Sequence, residues 1–70
     1  MTMRKIAAHR LETPTGVVHL GVVVIRDGIV EDYFPFSGEM PFTEWLGGTI
    51  VIQPDENGVI RAFQDGVMLA

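Results

Sequence analysis

Seventy residues leave room for one domain, and a chain of that size hides only about 60% of the surface its unfolded form exposes. Cysteine is absent, which excludes disulfides, thiolate zinc sites and a cysteine nucleophile together. A net charge of −4 speaks against a nucleic-acid partner, and no apolar run reaches the roughly 18 to 20 residues of a membrane-spanning helix.

Charge is unevenly spread. Arg4, Lys5 and Arg10 precede the first acid, whereas from Leu11 onward Arg26 and Arg61 stand against all 9 acids. Such asymmetry could set the N-terminal strand against an acidic neighbour in the same or another chain, but exposed pairs are worth only ~0 to 1 kcal/mol, so solubility is its expected role. Residues Met1 to Arg10 lack the apolar core of a signal peptide, which predicts a cytoplasmic protein. Apolar residues make up 47% of the chain and mean hydropathy is positive. Part of that apolar surface is expected to meet another chain, in a homodimer or higher homo-oligomer.

In chain order, Arg4 to Glu12 alternates with period two, and Thr13-Pro14-Thr15-Gly16 supplies a hairpin turn. Val17 to Ile25 is almost continuously apolar and β-branched, which predicts a central strand covered on both faces. Asp27-Gly28 is a strong two-residue hairpin signal, so Ile29 to Phe34 should return beside that strand, and Pro35 should end it or mark an edge. From Phe36 to Gly48 no period-two pattern survives, and Pro41 followed by Gly47 predicts a short helical turn near residues 41–46. Thr49 to Gln53 and Val59 to Phe63 read as strands around a loop ending in Asn57-Gly58, and Asp65-Gly66 allows a last strand, Val67 to Leu69. The two segments Val22 to Val30 and Thr49 to Ile60 follow the same hairpin template. The expected fold is a single, mainly β domain over residues 1–70, its antiparallel hairpins forming a small sheet, a sandwich or an open barrel.

Few residues suggest chemistry. His9 and His19 flank the first turn: a three-residue loop would place them on one face, a two-residue loop on opposite faces, and neither register supplies a third metal ligand. Asp32 and Glu31 adjoin Tyr33, but adjacent strand residues point apart, so charges guarding an edge strand are the expected role. Ser37 lacks the frame of a strained nucleophile, and Gly47-Gly48 leads into a strand, which offers no phosphate cradle. Five of the six aromatic residues fall between Tyr33 and Leu46. Either this segment lies over the sheet as a lid or it presents Phe36, Met40, Phe42 and Trp45 to a partner, and both roles are compatible.

Ala8 to Gly28, with Thr13-Pro14-Thr15-Gly16 and Val22-Val23-Val24-Ile25-Arg26-Asp27-Gly28, resembles the opening of amidohydrolase-superfamily enzymes. That resemblance implies the small β-domain beside the family's catalytic barrel. His9 is followed by Arg10 and Leu11, so the family's metal-binding His-x-His is missing and its activity does not carry over. The block Phe34 to Val51 is similar to a stretch found in short, uncharacterised bacterial proteins, which implies a stand-alone chain. The expected function is a self-associating β interaction or scaffold domain without catalytic activity, metal or cofactor, its partner a second copy or another protein. The alternative is a small-ligand-binding or enzymatic subunit whose pocket forms between protomers around His9, His19, Asp32 or Trp45.

Overall fold

The residues on either side of Pro14-Thr15 form the two longest strands, β1 (Met3–Thr13) and β2 (Gly16–Arg26), paired antiparallel with Thr13 opposite Gly16. The structure is a computed structural model and describes residues 3–38 and 41–70. The loop is thus the two-residue one. Thr13 secures it, its hydroxyl donating to the Gly16 carbonyl at 2.8 Å and accepting the Thr15 amide at 3.3 Å. Asp27 and Gly28 then take φ of 51° and 79°, the doubly left-handed pair that a two-residue hairpin turn needs, and lead into β3 (Ile29–Pro35).

β3 carries a bulge. Val30 lies opposite Ile25 but Asp32 lies opposite Val24, so Glu31 is the extra residue. Val30 and Tyr33 both pack on the core, which leaves Glu31 and Asp32 together on the exposed side. Simple alternation, which would separate the two carboxylates, fails here for that reason.

After β3 the chain crosses to the far side of β1. There β4 (Thr43–Trp45) and β5 (Thr49–Pro54) run parallel to β1 one after the other, followed by β6 (Ile60–Gln64) and β7 (Val67–Leu69) in antiparallel succession. The sheet order is β3-β2-β1-β5-β6-β7, with β4 also on β1. The hairpins are antiparallel as expected, and a parallel seam along β1 joins them. No helix occurs among the described residues, and the short helical turn expected near 41–46 is strand β4 instead. The free polar groups along Lys5–Ala7 decide the matter: an unpaired central edge is satisfied by strand ladder bonds, which a one-turn helix could not supply. No helix is long and apolar enough to cross a membrane among these residues.

The core consists of Ile6, Ala8, Leu11, Val23, Ile25, Ile50, Ile52 and Ala62, each at most 2% exposed, with Val18, Val30, Tyr33, Ile60 and Leu69 packed against it. Burial of each larger aliphatic chain is worth about 1.5 to 3 kcal/mol. Inward positions on β1 run Ile6, Ala8, then Leu11, and on β2 Ile25, Val23, then Val18. Both strands therefore change pleat phase at the same level, between Ala8 opposite Gly21 and Leu11 opposite Val18. Leu20 takes φ of 56° there, a strained value for a branched side chain. His9, Arg10, His19 and Leu20 are all exposed as a result. The opposite-face placement that a regular two-residue hairpin would impose on the two histidines does not operate across this phase change.

Gly21 makes the bend possible. A Cβ there would stand 2.6 Å from Leu11 Cδ1, so the leucine occupies the place of the missing side chain. The bent sheet, one open mixed sheet of seven strands, curls until β6 comes within 8 Å of β3, so that β1, β2, β3, β5, β6 and β7 all contribute to one apolar interior. Arg61 ties that seam, donating to the Gly28 carbonyl at 2.8 Å and to Asp55 at 3.2 Å. Only the half of β2 inside the bend is covered on both faces, with Val22 and Val23 fully buried, while Val17 and Leu20 are 43% exposed.

Candidate interaction surface

Across the side of the sheet away from its apolar interior, cross-strand pairing sets Phe34, Val22, Ala7 and Trp45 in one row. Val22 and Ala7 are buried, Phe34 is half-buried and Trp45 is exposed. The aromatic segment therefore divides its work. Tyr33 joins the core, Phe36 is half-buried and donates its amide to the Leu20 carbonyl at 2.7 Å, and Phe42 is 94% exposed at φ 58°. Met40 lies outside the described residues.

Trp45 is held at the junction of β4 and β5. Lys5 stands opposite Thr43, 38 residues on, and Arg10 opposite Thr49, 39 residues on, so one residue is inserted between the two short strands. Gly47 and Gly48 absorb it, both left-handed at φ 68° and 62°. His9 fills the space beside them. Its Nδ1 accepts the Gly48 amide at 3.0 Å, its ring meets Trp45 edge-on at a centroid distance of 4.8 Å, and Gln64 closes the far side by donating to the Gly47 carbonyl at 3.0 Å. An Nδ1 that accepts leaves the neutral ring's proton on Nε2.

The other predicted positions lie apart from this cluster. His19 is opposite Arg10 on β2, and Arg10 is paired with Glu12 at 3.4 Å. Asp32 accepts the Tyr33 amide at 2.8 Å, and Glu31 reaches Arg26 at 3.2 Å. No group of three metal-ligating side chains and no enclosed pocket occurs among the described residues.

Of the basic residues on β1, Arg4 meets an acid on another strand, whereas Arg10 pairs within β1. Arg4 grips Glu44 through two bonds of 2.8 Å and donates to the Ala70 carbonyl at 2.8 Å, joining β1, β4 and the end of β7. The hydrogen bond from Arg4 holds the Glu44 carboxyl below its ordinary range, assisted by the cation's charge and opposed by partial desolvation. Asp55 is likewise held low, first by the Val59 amide, then by the Asn57 amide and Arg61.

The edges are protected differently. β3 has a bulge, two acids and a terminal proline, whereas β7 is limited to three residues with Arg4 at its end and presents Val67 and Met68, 66% and 46% exposed. In the sequence β7 cannot be told apart as an outer edge, because three apolar residues after a turn look the same at an inner edge as at an outer one. The chain matches no family model, no curated protein and no solved structure.

Proposed function

We propose that this chain is a self-associating β interaction module, with the β7 edge and the aromatic face around Phe42 and Trp45 as its contact surfaces. The observation that carries the reading is the exposure, on one copy, of Phe42, Val67, Trp45 and Met68 at 94, 66, 53 and 46%, with Val67 and Met68 on the short β7 edge. Its accessible surface of 4377 Å² is close to the ~4,300 Å² that a folded monomer of this mass has. The core is already sealed within one copy, so association would cover what lies outside it.

Sedimentation of the purified chain from 1 µM to 1 mM tests this. A dimer or larger species is expected, shifting towards monomer in Val67→Lys and in Trp45→Ala; a 7.7 kDa monomer throughout refutes the proposal. The second reading, a small-ligand site between protomers, draws on the His9–Trp45 contact, an imidazole with one nitrogen tied against an exposed indole. A ligand at that site would raise the melting temperature by mass action, so silence across metals, nucleotides and sugars rejects it.

A further inference from the structure

The contact between His9 and the glycine bulge depends on one proton. Gly48 donates to Nδ1 at 3.0 Å, and the imidazolium carries a hydrogen on that nitrogen, so a protonated His9 cannot accept this bond. Imidazole is the side chain that ordinarily gains its charge between pH 8 and 5. The bulge is otherwise held by Leu46 N–H to the Ala7 carbonyl at 3.0 Å, Arg10 N–H to the Gly48 carbonyl at 3.1 Å and Gln64 to the Gly47 carbonyl at 3.0 Å, with His9 bracing the two left-handed glycines from the side. A Cβ on Gly47 would lie 3.4 Å from His9 Cε1, so ring and bulge are already in close contact.

We propose that His9 is a proton-sensitive latch on the Gly47-Gly48 bulge, whose protonation loosens the junction carrying Trp45 and Leu46 and weakens association through that face. The latch deepens the reading of this face as a contact surface and rests on it for its consequence. The charged groups around His9 are few. Arg10 and Glu12 on its own strand are paired with each other, His19 on β2 stands opposite Arg10, and Glu44 on β4 is occupied by Arg4. β5 contributes no charge at the bulge, and β6 contributes neutral Gln64, with Asp65 following in the next turn. His19 is the other histidine of the chain, and its contribution must be separated from that of His9 by substitution.

Three measurements on the whole chain test the latch. Between pH 8 and 5 the His9 ring signals and the Gly48 amide should move with one midpoint in NMR, and the Gly48 exchange protection factor should fall about fivefold, the loss of one hydrogen bond. Emission of Trp45, the single tryptophan, should show a step that disappears in His9→Gln, whose amide oxygen can accept from Gly48 at every pH, and persists in His19→Gln. Sedimentation should show association weakened about fivefold at pH 5. A Gly48 amide that stays protected while His9 titrates, or an emission step that survives His9→Gln, overturns the latch even if a variant folds poorly, because the first readout uses the wild-type chain. Association that is equal at both pH values while Gly48 opens overturns the link to the contact surface. A coupled His9–Gly48 transition in a chain that is monomeric at both pH values upholds the latch and refutes the association reading alone.

Discussion

Replacing Gly21 with alanine strikes the point on which the bent sheet turns. The new Cβ would lie 2.6 and 2.8 Å from Leu11 Cδ1 and Cγ and 3.0 Å from Val18 Cγ1, well inside the roughly 3.5 to 4.0 Å of a comfortable carbon contact. Leu11 is fully buried, so it has no free space in which to retreat. Overpacking of this kind costs about 1 to 3 kcal/mol, and for a domain of this size each kcal/mol moves Tm by about 4 to 8 °C. Gly21→Ala should therefore lower Tm by roughly 5 to 20 °C in a thermal melt followed by circular dichroism. Leu11→Ala alone should cost about 2 to 5 kcal/mol as a cavity. The double variant should cost less than the two singles together by about 1 kcal/mol or more, because the added methyl enters the space the leucine vacates. A neutral Gly21→Ala, or strict additivity in the cycle, would refute the packing account of the bend.

Other consequences follow from the turns and ion pairs. Gly28 and Gly66 share φ of 79°, but only at Gly28 would a Cβ meet a neighbour, Arg61 Nη1 at 2.9 Å. Gly28→Ala should exceed Gly66→Ala in cost by about 1 kcal/mol, the bond from Arg61 to the Gly28 carbonyl, as measured by urea denaturation. Because Asp55 and Glu44 both titrate below their ordinary values of 3.8 and 4.5, the unfolded chain takes up protons first as pH falls. Their contribution is complete above those values and disappears as pH drops through the lower folded ones, so the urea midpoint should decline on the acid side of pH 4.5 and decline less steeply in Glu44→Gln. Deleting Glu31 should remove the β3 bulge and straighten a guarded edge, and static light scattering at high concentration should then show more aggregation than for the wild type.

Most of the strand scheme was legible because its signals are local. Asp27-Gly28 and Asp65-Gly66 demanded tight turns and take matching φ values, and Val67 to Leu69 is the strand that the second turn allowed. The aromatic segment could be read as both cover and display; Tyr33, on β3, packs on the core, and Phe42 is exposed. What escaped depends on partners far away in sequence. Thr43 to Trp45 has too few residues to show a period and becomes a strand because Lys5 to Ala7 needed one. The phase change opposite Gly21 leaves no composition signature, since Leu11 and Val18 fit an apolar pattern in either phase. His9 could be weighed only against His19, because nothing local indicates that Gly48, Trp45 and Gln64 converge from 36 to 55 residues further on.

The double engagement of β1 also has a temporal meaning. One flank is occupied as soon as the next hairpin partner has been made, but the other waits for residues 38 and 39 positions later. At ribosomal speeds of about 5 to 20 residues per second, that flank stays bare for about 2 to 8 s on every nascent chain. A foreign strand that captures it in that interval would keep the first three strands from joining β4 and β5, so slower translation before Thr43 should lengthen the exposure and lower the yield of folded protein.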